Sequence, residues 1–99
     1  MTKYILTTRV FAPRTGRTFC RTKRFSDEIE AQVAATGYAM RRGIPIEPNN
    51  WGYATGCMGP CLYEIVLRRY ERTDDGAVTV SQVELRPIIE VKSSNVTAL

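Results

Sequence analysis

The stretch WGYATGCMGPC, residues 51–61, comes nearest to a chemical motif in this chain. Cys57 and Cys61 have a C-x₃-C spacing, which can hold a metal ion, form a disulfide or supply a thiolate nucleophile. A zinc site needs four ligands, however, and the chain adds only Cys20 and no histidine. The sequence therefore predicts no metal and no other cofactor. We expect the thiols to be buried or half-buried packing groups in a reduced, cytoplasmic protein.

The glycines of the same stretch do not form a phosphate-binding loop. Gly52, Gly56 and Gly59 lack a following Lys-Ser or Lys-Thr pair, and their spacing differs from the dinucleotide-binding fingerprint. We interpret residues 43–60 as a stiff loop rich in Pro and Gly, with a short strand around 51–54. Trp51 and Tyr53 are expected to dock this loop on the core.

Acid–base catalysis has little support in the sequence. Histidine, the side chain that most often acts as a general base near neutral pH, is absent. The adjacent carboxylates have local explanations, since Asp74 and Asp75 lie in a predicted turn, and Glu28 and Glu30 at a predicted helix start. No catalytic residue is predicted, and an enzyme is the least favoured class.

The basic residues are concentrated at the N-terminus. The net charge is +4, and half of the 14 basic residues precede Asp27, the first acid. Beyond the first quarter of the chain the ten acids outnumber the remaining seven bases. This asymmetry predicts an anionic partner for the N-terminal part.

The elements that must position these residues follow a ββαββ order. Strands are predicted over 3–11, 17–24, 61–72 and 77–91, and a helix over 26–42. The economical architecture is one α+β domain over residues 1–92, an antiparallel sheet of four or five strands with one helix on one face. Residues 93–99 are predicted to be a frayed tail.

Two details of this pattern carry structural predictions. Ser26 or Asp27 is expected to cap the helix, Gly43 to end it, and its apolar face to hold Ile29, Val33, Thr36, Gly37 and Met40. In the last strand the apolar alternation changes phase, which predicts a bulge near Ser81 and Gln82.

The second strand decides which surface the cations occupy. Because burying Arg21 and Lys23 unpaired would cost too much, Thr18, Cys20 and Thr22 are expected to face the helix. Phe19, Arg21 and Lys23 then join Ile5, Thr7, Arg9 and Phe11 on the uncovered face. With the turn and the strand end, the predicted partner-binding residues are Arg9, Phe11, Arg14, Arg17, Phe19, Arg21, Lys23 and Arg24.

These observations predict a small non-enzymatic protein that docks a basic, aromatic-interleaved hairpin on nucleic acid or on a nucleic-acid-handling complex. The alternative is a protein–protein inhibitor or adaptor, of the kind phages use against host machinery and its defences. It would act through Trp51 and Tyr53 in the 43–60 loop, or through a sheet edge. Free sheet edges also allow a homodimer. No apolar run approaches the ~20 residues that span a bilayer.

Overall fold

The computed structural model describes residues 1–88, which form one helix and five strands. The predicted tail at 93–99, and the predicted domain end at 92, lie outside the described residues. The elements are β1 (Thr2–Ala12), β2 (Arg17–Phe25), α1 (Glu28–Arg42), β3 (Tyr53–Met58), β4 (Cys61–Arg72) and β5 (Val78–Gln82).

All five strands belong to one antiparallel sheet. The order is β2-β1-β4-β3, and β5 pairs with β4 as well. β3 pairs with residues 61–66 of β4 and β5 with residues 68–72, so the two short strands share one side of β4. The ββαββ order and the α+β class predicted from the sequence are thereby confirmed.

The helix begins and ends at the predicted caps. The Asp27 carboxylate accepts a hydrogen bond from the Glu30 N–H, and Gly43 ends the helix with φ +64°. The predicted helix face was wrong for Ile29 and Met40, which are exposed, and right for Thr36, which is buried. The buried helix residues are Ala31, Gln32, Ala35, Thr36 and Ala39, and the three alanines pack with the central sheet residues Leu6, Ile65 and Leu67. Small alanines let the helix lie close to the sheet.

Two buried polar residues of α1 hold the segment that follows β5. The Gln32 side chain donates to the Glu84 carbonyl (2.8 Å) and accepts from the Arg86 N–H (2.9 Å). The Thr36 hydroxyl accepts from the Ile88 N–H (2.9 Å). The chain therefore leaves the sheet at Gln82 and crosses to the helix, burying Leu85. The prediction that the last strand continues past a bulge near Ser81 and Gln82 was therefore wrong over the described residues. The change of phase in the apolar pattern marks the point at which the chain leaves the sheet.

The 43–60 region contains a longer strand than predicted, since β3 covers Tyr53–Met58. Its contact with the core comes from small residues. Ala54 is buried, and a Cβ on Gly56 would lie 3.2 Å from the Ile44 side chain. Trp51 is 73% exposed and Tyr53 44% exposed, so the prediction that they dock the loop on the core was wrong.

The helix covers the centre of the sheet and leaves most of β2 exposed. A helix is about 10 Å wide and strands lie about 4.8 Å apart, so one helix covers about two strands. Every residue of β2 is exposed except Phe25, which is half-buried. The helix side of β2 therefore forms one wall of a recess whose other wall is α1.

Candidate nucleic-acid interface

The strand register places the second strand's cations on the helix side of the sheet. Leu6 lies opposite Lys23, Thr8 opposite Arg21, and Val10 opposite Phe19. Directly opposed residues of an antiparallel pair point to the same face. Leu6 and Thr8 are buried under α1, so Phe19, Arg21 and Lys23 share their side of the sheet.

The predicted orientation of β2 was therefore wrong, and Thr18, Cys20 and Thr22 lie on the face turned away from α1, here called the far face. The error has a physical reason. Facing the helix side was equated with burial, which would have been costly for Arg21 and Lys23. β2 extends beyond the helix, so both side chains face that side and stay exposed.

The recess between β2 and α1 collects four cations, and we call it the cationic groove. It consists of two hollows of about 220 and 330 Å³ that share Thr8, Arg21, Tyr38 and Arg42. No acidic residue lines either hollow. The cations of the groove are Arg21 and Lys23 from β2, and Arg41 and Arg42 from the last turn of α1.

The four cations form no ion pair within residues 1–88. The salt bridges found there join Arg9 to Glu64, Arg69 to Glu71, and Arg86 to Glu28. A recess lined by one sign of charge focuses the electrostatic field and raises the local concentration of anions. The lining of the groove thus carries positive charge that no acidic residue of the same hollows offsets.

Arg42 is held in place by aromatic rings. Its guanidinium carbon lies 3.7 Å from the centre of the Tyr38 ring and 5.5 Å from that of Tyr63. Its Nη1 donates to the Tyr38 carbonyl at 3.3 Å, and the two tyrosine rings meet edge to face. Since the side chain is already ordered, binding an anion costs less conformational entropy than at a free arginine.

Phe19 is the exposed phenylalanine of the groove. It lines the same hollow as Arg21 and Arg42, and the residue is 58% exposed. The groove therefore combines cations with an exposed aromatic residue.

The remaining predicted residues lie elsewhere. Arg9, Phe11 and Arg24 are on the far face, since Arg24 lies opposite Ile5. Arg14 and Arg17 are exposed at the turn that joins β1 to β2. The structure thus gathers Phe19, Arg21 and Lys23 from the predicted set and separates the other five from them.

On the far face Arg9 is neutralised by Glu64. Its Nη1 lies 2.9 Å from Glu64 Oε1, and the Tyr53 hydroxyl donates to Glu64 Oε2 at 2.7 Å. This hydrogen bond, with burial, raises the pKa of Tyr53 above its usual value. The far face therefore has an acid beside its central cation, in contrast to the cationic groove.

Sequence reasoning left two explanations open for Arg41 and Arg42, an extension of the basic patch or a charge effect at the helix end, and it assigned no role to Tyr38. The structure brings all three residues to the groove. A signal was present, because Tyr38 lies three and four residues before the two arginines and such neighbours meet on a helix surface.

The cysteines do not form a site among the described residues. All three are free, with Cys20 and Cys57 exposed and Cys61 half-buried, so the burial prediction holds for Cys61 alone. Cys57 lies opposite Leu62, which places its side chain and that of Cys61 on different faces of the sheet. In residues 1–88 no three His, Cys, Asp or Glu residues are grouped so that they could hold a metal ion.

A rigid turn presents Trp51 at the edge of the sheet opposite β2, and we call residues 47–52 the Trp51 turn. The Asn50 side chain donates to the carbonyls of Glu47 (2.6 Å) and Leu85 (2.8 Å). It accepts from the N–H groups of Gly52 (2.9 Å) and Leu85 (2.8 Å). Trp51 itself has φ +56°, a strained value for a bulky residue. The turn thus holds the indole in solvent.

No known protein family, curated protein or solved structure matches the chain. Among the described residues, α1 is too short and too polar to cross a membrane.

Proposed function

We propose that the protein is a non-enzymatic nucleic-acid-binding protein that contacts phosphates through the cationic groove. The observation that carries this proposal is the convergence of Arg21, Lys23, Arg41 and Arg42 on one recess that no acid lines. Arginine and lysine supply most of the side-chain contacts that proteins make to phosphate oxygens. The proposed setting is cytoplasmic, which the free cysteines favour.

Self-association through the β2 edge is a poorer explanation of the same surface. Pairing two copies of β2 would bring Arg17, Arg21, Lys23 and Arg24 of each copy close to those of the other. Charged residues on an edge strand oppose such pairing. The edge is better suited to an anionic partner than to a second copy.

The salt dependence of binding tests the proposal. Four phosphate contacts give a slope of log K against log salt of about −3 for a single strand and about −3.6 for a duplex. We expect these slopes when a fluorescent oligonucleotide is titrated with the protein at several salt concentrations. Affinity that does not change with salt would contradict the proposal.

Competition with polyglutamate distinguishes nucleic acid from an acidic protein surface. An anionic polypeptide satisfies the charge of the groove but offers neither phosphates nor bases. We expect polyglutamate to displace the oligonucleotide only at a large excess of charge. Equal competition, charge for charge, would favour an acidic protein as the partner.

The Trp51 turn supports a second candidate function, docking on a protein as an inhibitor or adaptor. Tryptophan is enriched among the residues that dominate protein interfaces, and this one is 73% exposed on a turn fixed by Asn50. Glu84 lies beside it, lining a hollow with Asn49 and Trp51. The carboxylate disfavours a phosphate at this edge and favours an apolar pocket with a basic rim.

A pull-down from nuclease-treated lysate separates the two functions. A partner that is lost with Trp51→Ala and kept with Arg21→Glu/Lys23→Glu, at high salt, would establish the second function. The reverse pattern, with loss after nuclease treatment, would support the cationic groove.

A further inference from the structure

We infer that the cationic groove selects single-stranded over duplex nucleic acid, with Phe19 as the platform on which an unpaired base stacks. This inference rests on the proposed function and names its substrate class. It adds to the charge argument the position of one aromatic residue and the fit of a flexible strand to the recess.

The shape of the groove suits a flexible strand. Duplex DNA is commonly read by a helix or a β-ribbon that protrudes into its major groove. Here the four cations line hollows of about 220 and 330 Å³ between α1 and β2. A single strand can enter such a recess, whereas the convex surface of a duplex meets only its rim.

Phe19 adds an aromatic surface, which can contact a base but contributes nothing to binding phosphates. It lies two residues from Arg21 and four from Lys23 on the same side of β2, at intervals of about 6.6 Å. The residue is 58% exposed and lines the hollow with Arg21 and Arg42. A base stacked on the ring removes apolar surface from water while the flanking phosphates reach the cations.

The base faces of a duplex are covered by their neighbours in the stack. An unpaired base has a free face, and stacking on aromatic side chains tolerates any sequence. Arg42, fixed on Tyr38, contributes an ordered cation beside that base. The groove is therefore expected to bind single strands with little sequence preference.

The test compares Phe19→Ala with Phe11→Ala. Phe11 is a matched control, because it is a β-strand phenylalanine of the same hairpin, 40% exposed, that lies on the far face. Fluorescence anisotropy measures binding to a mixed-sequence strand of about 16 nucleotides and to its duplex, a length within the range that single-strand-binding folds occupy. Thermal unfolding checks that both variants remain folded, and Phe19→Tyr supplies a second variant that keeps a ring.

We expect the unmodified protein to bind the single strand more tightly than the duplex. Phe19→Ala should weaken single-strand binding roughly 5- to 150-fold and duplex binding less than about 2-fold. Phe11→Ala should bind like the unmodified protein, and Phe19→Tyr should restore single-strand affinity.

Equal affinity for the strand and the duplex, both dependent on salt, would overturn this inference and leave the proposed function standing. Equal losses from Phe19→Ala and Phe11→Ala would also overturn it. Failure to bind either nucleic acid at low salt would overturn the proposed function itself.

Discussion

The two edges of the sheet differ in whether their polar side chains have partners within the protein. At the β2 edge, the cationic groove holds four like charges with no carboxylate among its lining residues. At the other edge, the Trp51 turn is tied to the segment after β5 by Asn50, and the Asn49 N–H donates to the Glu84 carboxylate. One edge leaves its polar groups available, and the other satisfies them internally.

This difference separates residues that stabilise the fold from residues that are free to bind. Unpaired exposed cations add little to stability, so the fold does not depend on them. In the Trp51 turn the backbone and the Asn50 side chain form hydrogen bonds that stabilise the fold, whereas the Trp51 side chain is exposed. Substitutions of the hydrogen-bonded residues in the Trp51 turn should therefore affect stability, and substitutions in the cationic groove should affect binding.

Two turn glycines should show the largest contrast in stability. A Cβ on Gly52 would lie 2.6 Å from the Leu67 carbonyl oxygen and 2.7 Å from that of Val83, whereas a Cβ on Gly16 meets nothing within 4 Å. Both have positive φ, which costs an alanine about 1–2 kcal/mol. Gly52→Ala should lose about 3 kcal/mol or more in urea unfolding, and Gly16→Ala no more than about 2. Similar losses would show that Gly52 is not packed as described.

The second largest loss of stability is expected for substitution of Asn50. Asn50→Ala removes four hydrogen bonds and leaves the Leu85 N–H and carbonyl without that partner, which should destabilise the protein by about 2–4 kcal/mol. The matched variant in the groove, Lys23→Ala, loses only the exposed contact of its Nζ with the Phe25 ring, 5.4 Å from the ring centre, and should change the free energy of unfolding by less than about 1 kcal/mol. Chemical denaturation of both measures this contrast, and an equal loss at Lys23 would reveal a structural role for the groove.

Arg42→Lys should have a moderate effect on binding. The substitution keeps the charge and loses the planar contact with Tyr38, a cation–π interaction worth about 0.5–1 kcal/mol at an exposed site. We expect a loss of about 2- to 5-fold in single-strand affinity, and the same substitution at Arg68 on the far face should have no effect. Full retention of affinity in Arg42→Lys would show that charge alone matters in the groove.

The smallest effect is expected at the β4–β5 turn, which belongs to neither edge. The Thr73 hydroxyl and the Ala77 N–H donate to Asp75 and lower the pKa of its carboxyl. A lowered pKa in the folded state stabilises the protein above the usual carboxyl range, and this stabilisation is lost as pH falls through the folded value. Asp75→Asn should thus be slightly less stable at neutral pH, and the difference should shrink as pH falls below the usual carboxyl range. A constant difference across pH would contradict this.

The sequence predicted the order of the elements because the residues that start and end them act locally. Pro13, Gly16, Asp27, Gly43 and Gly76 marked turns and helix ends, and β-branched and aromatic residues marked the strands. The face of β2 could not be predicted in the same way. Whether Arg21 is buried depends on how far the sheet extends beyond the helix, which is a property of the packed structure. Periodicity shows which residues of a strand share a face, but it does not show how much of that face the helix covers.

The burial of Gln32 could not be predicted for a related reason, whereas the spacing of Thr36 placed it on the predicted face. Gln32 and Thr36 occupy the helix core face because the chain after β5 returns to hydrogen-bond with them. Their partners are more than 50 residues away, so helical periodicity favoured the apolar but exposed Ile29 and Met40 instead.

The central claim is that the location of the charges in the groove, and not the net charge of the protein, determines nucleic-acid binding. Arg21→Glu/Lys23→Glu and Lys3→Glu/Arg68→Glu change the net charge equally, and the second pair lies on the far face. Anisotropy titrations of a labelled single strand at ~100 mM salt should show a loss on the order of 100-fold for the first pair and less than about 5-fold for the second. Equal losses for the two pairs would contradict the account.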